Sequence, residues 1–123
     1  MKLTYTKEDI DRGKTVEPGW YETVIKEAVD EIASDGQSMN TVVDFQIVGG
    51  NEGKFNGMNL RTWFNEKAPG ISIPFFAALG FQVKEGATVE TTACKGKKLL
   101  VYVANEMYKG KMQNRVSDYR PIQ

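Results

Sequence analysis

Apolar and polar residues alternate with a period of two through most of the chain, and that alternation predicts strands. Trp20 to Ala33 opens with the β-rich run Trp-Tyr-Glu-Thr-Val-Ile, directly after the turn signal Pro18-Gly19 and with no helix cap. Val24, Ala28, Val29 and Ile32 also have helical spacing. The uncapped, β-rich opening favours one long, bent strand with Glu22 and Lys26 facing outward. Ser34-Asp-Gly-Gln-Ser38 reads as a turn. Met39 to Val48 is the second strand, with Thr41, Val43, Phe45 and Ile47 on one face. After a flexible Gly49-Gly-Asn-Glu-Gly53 and a turn at Lys54-Phe-Asn-Gly57 comes the third strand, Met58 to Phe64. It puts Met58, Leu60, Thr62 and Phe64 on one face and Asn59, Arg61 and Trp63 on the other.

The alternation then stops. Ile71 to Gly80 reads as a short helix, with Ser72 as N-cap, Pro74 in the first turn and Gly80 just past the end. Phe75, Phe76 and Leu79 on it suit a core. A further helical turn is expected near Thr88 to Ala93. Lys97 to Tyr108 and Met112 to Tyr119 read as a hairpin joined at Lys109-Gly110, with Val116 facing a core and Arg115 facing away. At the other end, Leu3 and Tyr5 alternate as a short edge strand would. Thr6-Lys-Glu-Asp9 resembles a capping box, with one helical turn ending at Gly13.

The predicted order is three strands, a short helix, then two strands. This mainly-β layout is that of a five-stranded oligonucleotide-binding (OB) barrel, with residues 1–17 as an N-terminal extension and 18–121 as the barrel. That fold binds its ligand on strands 2 and 3 and with the loops joining strands 1–2 and 4–5. Here those elements are Met39 to Phe64, Ser34 to Ser38 and Tyr108 to Lys111. A chain of 123 residues fits one domain with a self-sufficient core.

Net charge is zero but unevenly spread. Residues 1–60 hold 6 basic and 11 acidic side chains, and residues 61–123 hold 10 and 5. One half therefore suits a polyanion and the other suits solvent or a basic partner. The hairpin interleaves Lys95, Lys97, Lys98, Lys109, Lys111, Arg115 and Arg120 with Tyr102, Tyr108 and Tyr119. Cations that track phosphates and rings that stack on bases are the chemistry of single-stranded nucleic-acid binding. Lysines on an edge hairpin also discourage sheet-to-sheet pairing, which is the plainer reading of the same residues.

Enzymatic chemistry is thinly represented. No histidine occurs, which removes the commonest general base and a usual zinc ligand. Cys94 is the only cysteine, so no internal disulfide can form, and it reads as a small buried hydrophobe. Gly49-Gly-Asn-Glu-Gly-Lys54 lacks phosphate-loop spacing, and Asp9, Asp11 and Gly13 do not complete a calcium loop. The sequence predicts a non-enzyme with no cofactor and no metal. It shows no apolar signal segment at Met1-Lys-Leu-Thr-Tyr and no apolar run of membrane-spanning length. A cytoplasmic location is expected.

Several segments also resemble, in order and spacing, a family of small tailed-phage proteins. They are Pro18-Gly-Trp-Tyr21, Ser34-Asp-Gly-Gln-Ser-Met39, Gly57-Met-Asn-Leu-Arg61, Ala77-Ala-Leu-Gly80, Lys95-Gly-Lys97, and Tyr108-Lys-Gly-Lys111 with Asn114-Arg-Val116 and Tyr119-Arg-Pro121. The resemblance covers about Val16 to Pro121. It is to OB-fold single-stranded-DNA-binding proteins encoded near replication and recombination genes. It implies a barrel that sequesters single-stranded DNA with little sequence preference in the cytoplasm of the host bacterium, with replication or recombination proteins as further partners. Many proteins of this class end in a flexible acidic tail that recruits partners. This chain ends at Arg120-Pro-Ile-Gln123 with no acidic run, so that role is not carried over.

The expected interface has Arg61, Lys97, Lys98, Lys109, Lys111 and Arg115 on phosphates and Trp63, Tyr108 and Tyr102 on bases. Backbone tracking and stacking do not test for a 2′-hydroxyl, so RNA is left open. The alternative is a protein-binding module that inhibits or tethers a host or replication protein through its acidic half.

Overall fold

A computed structural model of the chain describes residues 1–6 and 15–122. Five strands form one antiparallel sheet: β1 Gly19–Ile32, β2 Met39–Gly49, β3 Asn59–Asn65, β4 Lys98–Tyr108 and β5 Lys111–Arg120. Their order across the sheet is β3-β2-β1-β4-β5. The single α-helix among the described residues, α1 (Ile73–Ala78), lies between β3 and β4. The strands begin or end within two residues of where the alternation puts them. Short 3-10 turns occupy Asn51–Gly53, Pro69–Ser72 and Thr91–Cys94, the last overlapping the region where a helical turn is expected.

β1 organises the sheet because it pairs along its length with two partners. Its first half pairs with β4 from Gly19 opposite Val103 to Val24 opposite Lys98. Its second half reaches β2 out to Ile32 opposite Met39. Register shifts between Glu22 and Thr23 and between Ile25 and Glu27 bend it between those two tasks. Gly50, at the end of β2, has a φ of +108° and comes so close that a Cβ would lie 2.9 Å from the Trp20 carbonyl oxygen. Only glycine fits there.

The inner face carries Tyr21, Thr23, Ile25, Val43, Phe45, Ile47, Leu60, Phe64, Leu99, Val101 and Val103, all buried. α1 covers one end of this core with Phe75 and Phe76. Phe75 meets Phe64 at 4.9 Å, Tyr119 at 5.2 Å and Phe45 at 6.0 Å between ring centroids. The helix therefore joins β2, β3 and β5 through one aromatic cluster. Cys94, in the 3-10 turn that packs on β1, is fully buried, and its thiol is pushed up to about 11 by loss of solvent.

Ser72 precedes α1 but does not cap it with its side chain. The hydroxyl donates backward to the Pro69 carbonyl at 2.7 Å, because Pro69–Ser72 already forms a 3-10 turn. Leu3 and Tyr5 form no edge strand and are exposed, since two apolar residues bury too little to hold a strand on the sheet. The helical turn expected from Thr6 to Gly13 falls on residues 7–14, outside the described residues.

Chain just before β1 belongs to the core. Val16 is fully buried. Its backbone N–H donates to Asn114 Oδ1 and its carbonyl accepts from Asn114 Nδ2, both at 2.8 Å. One amide side chain on β5 thus substitutes for a strand partner. No helix among the described residues is long and apolar enough to cross a membrane.

Candidate nucleic-acid interface

The edge strands β3 and β5 face each other across a cleft of about 600 Å³. Asn59 to Phe64 form one wall, Gln113 to Ser117 with Tyr119 form the other, and Ile71 and Pro74 close one end. Each wall pairs on one side only, β3 with β2 and β5 with β4. The sheet does not close across the gap by strand pairing.

Leu60 and Phe64 turn inward, so Asn59, Arg61 and Trp63 lie on the outer face of β3. Trp63 is 54 % exposed, and Val42 opposite it on β2 is only 4 % exposed. Val29 follows across β1, giving an apolar row Val29–Val42–Trp63 on the outer face. Arg61 stands in the next row, opposite Asp44. Its Nε donates to Asp44 Oδ1 at 2.6 Å and its second nitrogen donates to Oδ2 at 3.2 Å. This two-pronged pair holds the guanidinium above its ordinary pKa, and Glu31 adds to the effect. Arg61 is thus already neutralised by its own sheet.

Arg115 lies on the β5 wall, with a looser contact of 3.7 Å to Glu106 Oε2. Beyond Glu106 and Gln113 the same hairpin continues to its tip. Tyr108 is 56 % exposed there, and Lys109 Nζ sits 5.3 Å from its ring centroid. Neither Lys109 nor Lys111 has a carboxylate partner among the described residues. Lys109 and Gly110 have φ values of +50° and +79°, both of the sign a two-residue type I′ hairpin turn requires.

Arg61, Trp63 and Arg115 therefore share one cleft, with Tyr108, Lys109 and Lys111 on the extension of its β5 wall. No protein-family model and no curated protein matches the chain. The remaining three expected residues lie elsewhere. Lys98 opens β4 with Lys97 just before it, and ten residue steps, or about 33 Å, separate Lys98 from Tyr108 at the other end of the strand. Lys97 Nζ rests over Phe81 at 5.5 Å. Tyr102 packs edge-on against Trp20 at 5.4 Å, on the outer face of β1 and β4.

The residues that sequence reasoning missed are mostly amides. Asn65 donates from Nδ2 to Ser38 Oγ at 2.9 Å and to Asn40 Oδ1 at 2.8 Å. Asn40, Gln46 and Asn59 also line the outer face of β2 and β3. Alternation alone puts Asp44 and Arg61 outward on consecutive strands, so their pairing had a signal. The amide network had none, because it depends on the exact β2–β3 register. Among the described residues, no cluster of three or more His, Cys, Asp or Glu is arranged to hold a metal ion.

Proposed function

We propose that the protein binds single-stranded DNA in the cleft between β3 and β5, as a phage-type single-stranded-DNA-binding protein with an OB-type barrel. The observation that carries the reading is that the half-exposed Trp63 on β3 and Arg115 on β5 line one cleft. Lys109 and Lys111, with no carboxylate partner among the described residues, extend that wall beside the exposed Tyr108 ring. Trp63 and Tyr108 stack on bases, while Arg115, Lys109 and Lys111 meet phosphates. Arg61 contributes less, because Asp44 already holds it.

The strand order, the helix between β3 and β4 and the approach of β3 to β5 support the barrel. Tyr119 on β5 packs 6.4 Å from Phe64 on β3, so the two edges come together at that end. Lys109 adds a second kind of support. A lysine at positive φ is held against its steric preference by about 1 kcal/mol or more, where asparagine or glycine would fit freely. Strain retained at an exposed charge suggests that the charge is used.

The test is a titration with a dT oligomer of about 30 nucleotides, on the order of two or more OB-fold site lengths, followed by tryptophan fluorescence at two salt concentrations. Salt-sensitive quenching that is lost in Trp63→Ala is the expected result. No binding by quenching or by gel shift at low salt overturns the reading. It would favour a protein-binding module acting through the acidic end of the β1–β2 hairpin, where Ile32 and Met39 are exposed beside Glu31 and Asp35.

A further inference from the structure

Two hairpins run past the core, and each ends its core-facing side in the same way: a hydrogen-bonded polar pair, then an uncovered apolar pair. On the β1–β2 hairpin, Asp30 is opposite Thr41, and Thr41 Oγ1 donates to Asp30 Oδ1 at 2.7 Å. The next pair on that face is Ile32 opposite Met39. On the β4–β5 hairpin, Asn105 is opposite Asn114, and Asn114 Nδ2 donates to Asn105 Oδ1 at 2.6 Å. The next pair on that face is Met107 opposite Met112. All four apolar side chains are between 40 % and 68 % exposed. Two large apolar side chains directly opposite one another form a patch, not an isolated exposed residue.

The two patches sit at opposite ends of the sheet. β1 runs from Gly19, opposite Val103, to Ile32, opposite Met39. β4 is antiparallel to β1, so beyond Val103 it carries Met107 past the start of β1 and away from Ile32. The charges around the patches are opposite as well. Lys109 and Lys111 adjoin Met107 and Met112, and neither has a carboxylate partner among the described residues. Around Ile32 and Met39 lie Asp30, Glu31, Asp35 and Glu66, with Glu66 Oε1 accepting from the Met39 N–H at 3.0 Å. Lys67 at that end is paired with Asp35 at 3.3 Å. Like ends brought together would set lysine against lysine or carboxylate against carboxylate, which weakens association. Unlike ends match in both apolar surface and charge.

We propose that each patch is occupied by the opposite end of a second copy of this chain. Met107 and Met112 dock against Ile32 and Met39 of the next copy, and Lys109 and Lys111 lie beside its carboxylates. Such a contact is heterologous: it leaves one tip and one acidic end free and extends into a head-to-tail row. Two hairpin ends bury little surface, which makes the contact transient and dependent on concentration. Tyr108 faces the other side of the hairpin from the methionines, so its ring stays available. The inference goes beyond the DNA reading and does not depend on it.

The test is sedimentation velocity of the DNA-free protein at concentrations up to about 1 mM, where a contact of this size is populated. Wild type is compared with a tip variant, Met107→Ser with Met112→Ser, and an end variant, Ile32→Ser with Met39→Ser. All four positions are exposed, so both variants keep the core, which circular dichroism melts check. Wild type is expected to form species larger than a dimer that dissociate as salt rises. Each variant alone is expected to associate at least about tenfold more weakly. Mixed in equal amounts, the two variants share one intact tip and one intact end, so association returns but stops at a dimer. A wild type that stays monomeric throughout overturns the proposal. So does either variant associating as wild type does, because the contact then lies elsewhere or joins like ends. A mixture no more associated than its components overturns it too. None of these outcomes bears on the DNA reading, which stands or falls on oligomer binding.

Discussion

The guanidinium of Arg120 lies over the indole of Trp20, its carbon 4.4 Å from the ring centroid. Tyr102 meets the same indole edge-on at 5.4 Å. One of the two tryptophans is thus occupied by the chain's own side chains, and the other, Trp63, meets no ring or cation among the described residues and is half-exposed. Collisional quenching by acrylamide should therefore act mainly on Trp63 and fall sharply in Trp63→Phe. Arg120→Ala should expose Trp20 to the quencher and destabilise the fold by about 0.5–1 kcal/mol, the usual size of an exposed cation–π contact. Quenching dominated by Trp20 in the wild type would contradict this assignment.

The Arg61–Asp44 pair leads to a gain-of-binding prediction. Both side chains are substantially exposed, so the pair itself should stabilise the fold by no more than about 1 kcal/mol. Asp44→Asn removes the carboxylate that competes with DNA phosphate for the guanidinium. Affinity for a dT oligomer should rise, and the slope of log affinity against log salt should steepen by about 0.7, the value for one added phosphate contact on a single strand. Equal slopes in variant and wild type would place Arg61 outside the bound strand's path.

Lys109 couples stability and binding in opposite directions. Asparagine tolerates the left-handed conformation that Lys109 adopts. Lys109→Asn should therefore raise the unfolding free energy by about 0.5–1 kcal/mol in urea melts. It should also weaken oligomer binding and reduce the salt slope by about 0.7. Lys109→Glu with Lys111→Glu should reduce the slope by about 1.4. A partner-tethering protein that used only its acidic half would show no such loss.

The strands and their inward faces were legible because period-two alternation is a local property. Thr41, Val43, Phe45 and Ile47 are buried as the alternation requires. The site was less legible. Lys97 and Lys98 look like neighbours of Lys109 in a list of basic residues, yet an extended strand separates them. Tyr102 has the composition of a stacking ring but faces Trp20, because β1 and β4 pair in a register that no short window encodes. Val16 is a single apolar residue in a polar stretch. Its backbone is held by the Asn114 amide, nearly a hundred residues away, and its side chain joins the core cluster.

Acid should act through Asp35. Its carboxylate accepts from the backbone N–H groups of Ser38 and Gln37 and from the Ser38 hydroxyl, and these hold it well below the ordinary value of 3.8. A depressed carboxylate stabilises the fold above its unfolded pKa and loses that contribution as pH falls through and below about 4. The melting temperature of the wild type should therefore drop between pH 5 and pH 2, measured by circular dichroism. Asp35→Asn should start lower at neutral pH and show a shallower acid dependence. Parallel curves for the two proteins would mean that the β1–β2 turn does not depend on the charge.

Alkali should act through Tyr119, and with the opposite sign. Burial among Phe45, Phe64 and Phe75 pushes this phenol from 10.0 up to about 12, partly offset by the neighbouring Thr62 hydroxyl. The unfolded chain releases the proton first, so the stabilisation is complete below pH 10 and is lost as pH rises from 10 toward 12. Two pH units of separation correspond to about 2–3 kcal/mol at most. Cys94 acts in the same direction from a lower start, between about 9 and 11. Tyr119→Phe should therefore lose little stability at pH 7 and should flatten the fall above pH 10. Cys94→Ala should flatten the part that begins near pH 9. Because Tyr119 holds β5 against β3 at the closed end of the cleft, its ionisation should also open the site. Affinity for a dT oligomer at fixed salt should then fall over the same alkaline range in wild type and less in Tyr119→Phe.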